Sequence, residues 1–436
     1  MKNELYFYDI FPKAVPAGRE ISVRIRSLSP HTAFTLEEYV LRVYPMTYDI
    51  YSETRPPVFE TAVRPEQGEL SFSHAFPGEQ EHSVRIYTRE GVCLARLAVY
   101  SLQPDLMERR PFMGDFHVHS CCSDGKEAPE FVAAIYREYG FDFMAVTDHL
   151  RRRPSLRAVD CYRPLNLDFQ IYPGEEVHTY GNNVHIINFA GDFSVNEEAR
   201  QIDHNVFDWD YPPRKEWEEQ ARALAAELKD LPEGVDPFVH ASCLLALKRI
   251  REAGGLGIFC HPHWIADVYN VPDTFTRFYL EKGFADAFEL IGGQTGLENQ
   301  MQIAMYQEML AKGARIPVVS SSDSHGTVNS ICFNQMKTMV FARENTREEL
   351  ISAVREGYTA ALDDKGPEDV QMYSSYRMVS YGLFLYHNYF PLHDALCREE
   401  GRLMRAWLGG DSAAEERLAA LKGQTVRMLE KYFSEQ

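Results

Sequence analysis

Residues 115–125 read DFHVHSCCSDG, and this stretch decides the fold class of the protein. It lies at the end of the first of seven apolar runs of strand length, and amphipathic helix patterns separate several of these runs. The runs cover residues 114–119, 141–147, 169–172, 184–189, 256–260, 285–291 and 316–320. Such an alternation of strands and helices predicts an α/β fold in which helices cover parallel strands.

Histidines and acidic residues follow many of these predicted strands. His117 and His119 are two residues apart on one strand, so both rings point to the same face, and the same spacing relates Asp323 and His325. Other polar motifs follow other strands: TDH at 147–149, GEE at 174–176 and HPH at 261–263. In parallel α/β barrels, catalytic groups gather at the carboxyl ends of the strands. Imidazole and carboxylate together suit Zn, Mn or Fe better than Mg or Ca.

The segment before this region has a different pattern. Between residues 4 and 103, apolar residues alternate with polar ones over short runs, and turn signals separate the runs. An alternation of this kind, without a helical period, predicts a β-sandwich. We therefore expect an N-terminal sandwich, an α/β domain and a helical C-terminal extension, at residues 1–106, 107–365 and 366–436.

Two further features accompany this division. An insertion at 192–253, with an acidic and aromatic loop around Trp209, is expected to form either a lid or a flank. The run from Thr346 to Glu349 predicts a capping box at the start of a helix.

The composition limits the kinds of binding partner and the cellular compartment that we expect for this protein. The 436-residue chain has 45 basic and 64 acidic residues and a formal net charge of −19, which disfavours a nucleic acid polymer and an anionic membrane surface. Charges at Glu4 and Asp9 interrupt the start of the chain, and no apolar run is long enough to span a membrane. The eight cysteines contain no CxxC pair, so we expect a reduced cytoplasmic protein.

Five motifs, in this order along the chain, resemble those of the PHP (polymerase and histidinol phosphatase) superfamily of metal-dependent phosphoesterases. They are DFHVHSCCSDG, TDH, PGEEV followed by HIINF, CHPHW and SSDSHG, and they lie within residues 112–330. The resemblance implies a distorted (βα)7 barrel that holds three divalent ions through nine protein ligands. Matched one at a time, these ligands are His117, His119, Asp124, His149, Glu176, His185, His261, Asp323 and His325. Glu175 competes with Glu176, and the Gly-x-Glu spacing from Gly174 favours Glu176.

The implied activity is hydrolysis of a small-molecule phosphate ester, either a monoester or a diester. A hydroxide that bridges two metals of the trinuclear site would attack phosphorus in line. Three divalent ions with three carboxylates would leave a net positive charge that attracts phosphate. Arg151, together with Arg152 and Arg153, is a candidate phosphate clamp. His178 and His263 are candidates for protonating the leaving group, and either could instead replace a metal ligand.

Three other functions compete with this hypothesis. An amidohydrolase-type metal hydrolase also begins with HxH, but it commonly uses a carbamylated lysine on the fourth strand, and the stretch VHIINF at 184–189 has none. A non-catalytic binding scaffold would be expected to have broken metal motifs, whereas all nine positions are filled. A nuclease or proofreading role is disfavoured by the negative charge and by the lack of a long basic stripe.

Overall fold

The structure is a computed structural model, and it describes residues 3–48, 54–179, 181–328, 330 and 332–433. The chain divides into two compact units. Unit 1 comprises Met1–Arg110, Ser375–Leu396 and Gly423–Gln436, and unit 2 comprises Pro111–Ser374 and Cys397–Lys422. The C-terminal residues therefore fall partly into each unit, and the division into three successive domains stays a prediction.

Unit 1 is built from two sheets that share one hydrophobic core. Its strands are β1 Tyr8–Phe11, β2 Ala14–Pro16, β3 Glu20–Ser27, β4 Tyr39–Pro45, β5 Phe59–Val63, β6 Glu69–Ala75, β7 Gln80–Tyr87 and β8 Cys93–Leu102. One sheet has the order β1-β3-β6 and the other the order β2-β8-β7-β4-β5. Along β3 the buried residues Ile21, Val23 and Ile25 alternate with exposed ones, so the predicted period of two is present.

Unit 2 contains the region with the polar motifs. Its strands are β9 Arg110–Asp115, β10 Phe143–Ala145, β11 Gln170–Tyr172, β12 Gly174–His178, β13 His185–Phe189, β14 Leu256–Phe259, β15 Ile265–Ala266, β16 Val268–Tyr269, β17 Ala287–Ile291, β18 Val318–Ser320, β19 Met336–Ala342, β20 Thr359–Asp364 and β21 Val370–Tyr373. Two larger sheets have the orders β11-β10-β9-β19-β20-β21 and β12-β13-β14-β17-β18, and β15 and β16 form a small hairpin. Strands mixed with helices make this an α/β protein, as the sequence predicts.

Helices occur in both units. They are α1 Pro104–Met107, α2 Pro129–Glu138, α3 Arg153–Tyr162, α4 Val195–Ala199, α5 Lys215–Glu227, α6 Pro237–Glu252, α7 Asp273–Lys282, α8 Gly296–Ala311, α9 Arg347–Arg355, α10 Tyr376–Asn388, α11 Phe390–Leu408, α12 Ala414–Leu421 and α13 Gln424–Phe433. The capping box predicted at Thr346 is wrong, because its side chain makes no capping hydrogen bond. Glu349 instead accepts a hydrogen bond from the backbone N–H of Arg343. A capping box does form at Thr295 and Glu298.

Not all strands of unit 2 are parallel, contrary to the prediction. Strands β9, β10 and β11 pair in parallel, and so do β14, β17 and β18. However, β12 and β13 pair antiparallel, because their connection is too short for a helical crossover, and β13 also pairs antiparallel with β14. Strand β13 therefore begins at the edge where the parallel strands end, and its first residue, His185, lies at that edge.

Candidate metal centre

Glu176 lies at the centre of a cluster of histidines. It is fully buried on β12. Six histidines contact its two carboxylate oxygens: His117, His119, His149, His178, His185 and His261. Nδ1 of His185 lies 2.7 Å from Oε1, and Nε2 of His117 lies 3.5 Å from Oε2. Contacts to both oxygens are the arrangement expected of a carboxylate that bridges two ions.

Asp323 completes this group from the loop after β18. Its Oδ1 lies 2.8 Å from Nε2 of His119 and 3.3 Å from Nε2 of His117. The backbone of Asp323 has φ +47° and that of His261 has φ +28°, a left-handed region that a residue with a Cβ adopts only when its surroundings impose it. Gly293 allows this geometry, because a Cβ there would lie 2.1 Å from the carbonyl oxygen of Ser322.

A second group lies at the more exposed side of the cluster. Oδ1 of Asp124 is 3.3 Å from Nε2 of His325 and 3.5 Å from Nε2 of His149. The ring of His119 stacks on both of these rings, with centroid distances of 4.3 Å to His325 and 4.1 Å to His149. One ligand atom from each of these four residues lies within 4.8 Å of the others. The structure thus brings all nine predicted ligand residues together.

Glu175 and Glu176 point to opposite sides of β12, as adjacent strand residues do. The carboxylate of Glu175 accepts hydrogen bonds from Asn188, Ser194 and the backbone of Val195. It therefore organises the start of α4 rather than the histidine cluster. The sequence spacing that favours Glu176 over Glu175 agrees with this geometry.

Two buried carboxylates support the cluster from outside. Oε2 of Glu289, on β17, lies 3.0 Å from Nδ1 of His117, and both side chains are fully buried. Asp148 accepts hydrogen bonds from the backbone and hydroxyl of Ser120 and thereby holds the loop after His119. Sequence reasoning missed Glu289, although a lone charged residue inside the apolar run AFELI was a usable signal.

The three predicted catalytic residues occupy different places. His178 belongs to the cluster, since its Nε2 lies 3.4 Å from Glu176. His263 is buried elsewhere, with Nε2 3.5 Å from Asp273 and its ring against Tyr269. Arg151 donates to the backbone carbonyl of Asp203 and to the Tyr211 hydroxyl, so it anchors a loop of the insertion.

The donor set fits metal ions. Histidine nitrogens approach Oε2 of Glu176 and Oδ1 of Asp323, but among the described residues none makes a hydrogen bond of good geometry to either buried oxygen. Nε2 of His117 and Nε2 of His119 lie only 3.1 Å apart, a close approach of two nitrogens that a shared cation would stabilise. Nitrogen and carboxylate donors in this mixture suit Zn, Mn or Fe.

Electrostatics keeps the carboxylates ionised. Burial raises the pKa of Glu176, but the nearby His149, His185 and His178 outweigh burial and hold that pKa well below its ordinary value. Burial lowers the pKa of His119 to about 3, and the charge of His149 adds to this shift. Despite burial, Glu176 and Asp124 raise the pKa of His149 to about 10, and Asp323 and Glu289 raise the pKa of His117. Metal binding requires neutral imidazoles, so these two histidines would release protons when a metal binds.

A cavity of about 1030 Å³ opens beside the cluster. His149, His185, His261, Asp323 and His325 form part of its wall. Trp209, from the insertion, also lines it, and its ring centroid lies 4.7 Å from that of His149. The cluster is therefore accessible to a small molecule.

The fold and the cluster define a mixed α/β protein with a candidate metal site. No protein-family model matches the chain, and no curated protein matches it. Among the described residues, no helix combines the length and the apolar character needed to cross a membrane.

Three solved structures are similar to parts of this chain. A two-domain protein from Bacteroides vulgatus, containing a predicted PHP-like metal-dependent phosphoesterase, is 17% identical with a TM-score of 0.39, over 58% of this chain and 65% of its own. A candidate metal-dependent phosphoesterase from Bifidobacterium adolescentis is 16% identical with a TM-score of 0.33, over 49% and 87%. An amidohydrolase from Chromobacterium violaceum is 17% identical with a TM-score of 0.32, over 50% and 89%. The names of the first two structures include metal-dependent phosphoesterase, and all three match this chain at low identity and low TM-score.

Proposed function

We propose that this protein is a metal-dependent phosphoesterase that hydrolyses a small-molecule phosphate ester at a trinuclear site. The observation that carries the proposal is the convergence of nine imidazole and carboxylate side chains, including Glu176, beside an open cavity. We further propose that the sheets of unit 2 form a distorted (βα)7 barrel and that unit 1 is a β-sandwich. A cytoplasmic location remains part of the proposal.

The proposed ligands fall into three groups, two of which contact Glu176. His117, His119 and Asp323 lie on one side of its carboxylate, and His185 and His261 lie at its other oxygen. Asp124, His149 and His325 form the third group. When bound, divalent ions at such a site polarise phosphoryl oxygens and lower the pKa of water.

The chain's own residues would hold this arrangement in place. Glu289 orients His117 through Nδ1, so that Nε2 faces the cluster. The guanidinium of Arg200 donates to the backbone carbonyl of His178 and positions that ring. Burial and the neighbouring His185 hold the pKa of His178 well below its ordinary value, which favours a neutral ligand over a proton donor. Proton transfer by His178 or His263, and a phosphate clamp by Arg151, remain predictions.

Metal content and turnover test the proposal together. Protein purified without chelator is expected to hold two to three equivalents of Zn, Mn or Fe, and Asp323→Ala is expected to lower that number. Asp273→Ala is the matched control, because this half-exposed carboxylate contacts His263 and not the cluster. The loaded protein is then assayed with p-nitrophenyl phosphate and bis-p-nitrophenyl phosphate.

Two results would contradict the proposal. Metal content near zero that added Zn, Mn or Fe cannot restore would remove the proposed site. Full metal content with hydrolysis of N-acyl amides, but of neither phosphate ester, would favour the amidohydrolase alternative.

A further inference from the structure

The cavity wall next to the cluster carries aromatic side chains. Trp209, Trp264 and Tyr269 line it, and each of these rings is at least one-third exposed. Trp264 lies 6.4 Å from the ring of His261, whereas Trp209 lies against His149. Two indoles thus reach the cavity beside different histidines of the cluster. Exposed indole faces are typical of sites that bind the apolar face of a ring.

The loop that carries Trp209 is anchored at both ends. Nη2 of Arg151 donates to the hydroxyl of Tyr211 at 2.9 Å, and this hydroxyl donates to the backbone carbonyl of Asp203 at 2.8 Å. Arg200 donates to the backbone carbonyl of Tyr211 at 3.0 Å. The indole therefore belongs to a built wall of the cavity, and Arg151 helps to hold it there.

The charges of the cavity wall disfavour a substrate that carries a second anionic group in addition to the reacting phosphate. Asp210 and Asp236 line the cavity in addition to the cluster. Among the described lining residues, Arg200 is the one arginine or lysine, and it is 6% exposed. Its guanidinium already donates to the carbonyls of His178, Tyr211 and Thr179. An anionic group beyond the reacting phosphate would therefore meet two carboxylates and no available cation.

We propose that the cavity selects phosphate monoesters whose alcohol portion is an uncharged, hydroxyl-bearing ring such as a sugar, and that it discriminates against esters with a second anionic group. The indoles would cover the faces of the ring. The oxygens of Asp210 and Asp236 would accept hydrogen bonds from its hydroxyl groups. This inference rests on the proposed phosphoesterase function.

The test compares a glucose monophosphate with a glucose bisphosphate on the metal-loaded protein, with p-nitrophenyl phosphate as a reference. We expect kcat/KM to be about tenfold higher for the monophosphate, and this ratio to shrink with added salt. The variant Asp210→Asn with Asp236→Asn should reduce the ratio at least threefold. Asn caps a helix as well as Asp does, so α6 keeps its N-cap interaction with Val239. Trp264→Ala should raise KM for the monophosphate about tenfold, whereas Val268→Ala, on the same hairpin but outside the cavity wall, should not.

Binding without turnover gives a second readout. Tryptophan fluorescence of the metal-free protein is titrated with glucose and with glucuronate, and glucose is expected to bind more tightly. If p-nitrophenyl phosphate is not hydrolysed, the proposed function fails, and this titration alone decides the ring and charge selectivity. Hydrolysis of p-nitrophenyl phosphate with an equal or higher kcat/KM for the bisphosphate would overturn the inference alone. A clear preference for cyclohexyl phosphate, whose ring bears no hydroxyl group, over the glucose monophosphate would also overturn it.

Discussion

Replacing Glu289 by glutamine tests whether a buried carboxylate orients His117 for metal binding. Oε2 of Glu289 and Nδ1 of His117 are 3.0 Å apart, and both side chains are fully buried. A histidine that donates Nδ1–H to a carboxylate presents the lone pair of Nε2 on its other side. There, Glu176 and Asp323 lie 3.5 and 3.3 Å from Nε2. Glutamine keeps an acceptor oxygen and loses the charge, so the variant separates charge from shape.

The size of the effect follows from this contact. Loss of an outer partner of a ligating histidine weakens metal binding by about 10- to 100-fold, or about 1.4 to 2.7 kcal/mol. Glu289→Gln is expected to weaken metal binding by about 10-fold, because the amide oxygen still accepts the hydrogen bond. Glu289→Ala is expected to weaken metal binding by about 100-fold, since His117 then loses its partner. Gly292→Ala should fall between them, because a Cβ there would lie 2.5 Å from Oε1 of Glu289.

The assay is a chelator competition that gives the Kd of each variant for Zn and Mn. Thermal unfolding with and without metal separates a loss of affinity from a loss of fold. Glu308→Gln is the matched control, because it removes the same charge from an exposed position on α8 that pairs with Arg277 and Lys312. An unchanged Kd in folded Glu289→Ala would refute the orienting role of this carboxylate.

Three further predictions concern other parts of the chain. Gly293→Ala should reduce metal content, because its Cβ would lie 2.7 Å from the Cβ of Asp323, whereas Gly296→Ala, which meets nothing within 4 Å, should leave the content measured by mass spectrometry unchanged. Glu400→Ala should lower the free energy of unfolding in urea by about 3 kcal/mol, because the buried guanidinium of Arg137 loses the closer of two ion-pair partners and keeps Asp142 at 3.5 Å. An equal value for the exposed control Glu416→Ala would contradict this. Burial, with a smaller contribution from His74, lowers the pKa of His82 to about 4. As the pH falls, His82 therefore takes up a proton in the unfolded chain before it does so in the folded protein. Between about pH 7 and about pH 5, the free energy of unfolding of the wild type should fall by about 2 kcal/mol more than that of His82→Asn. An equal fall in the two proteins, measured by urea denaturation at both pH values, would argue against this prediction.

The sequence by itself determined the residues of the cluster and the α/β class. His117 and His119 share a strand, and Asp323 and His325 have the same spacing, so local geometry alone predicts that each pair acts together. The choice of Glu176 over Glu175 came from the Gly-x-Glu spacing of the resembled family, and strand alternation adds only that the two side chains face opposite sides. Patterns of this kind can be read without knowing which distant segments meet.

Only the tertiary structure decided what surrounds these residues. Glu289 reaches His117 because β17 lies in the sheet that completes the site, and no spacing within the chain encodes that contact. The antiparallel turn from β12 to β13 brought His185 to the cluster, although a uniformly parallel sheet was predicted. Arg151 anchors the Trp209 loop, and His263 packs near Asp273. Hydrogen bonds and packing between remote segments determine the positions of these two side chains. Residue type, local period and the resemblance of the motifs therefore predicted the ligands, whereas long-range packing determined their supports and the cavity wall.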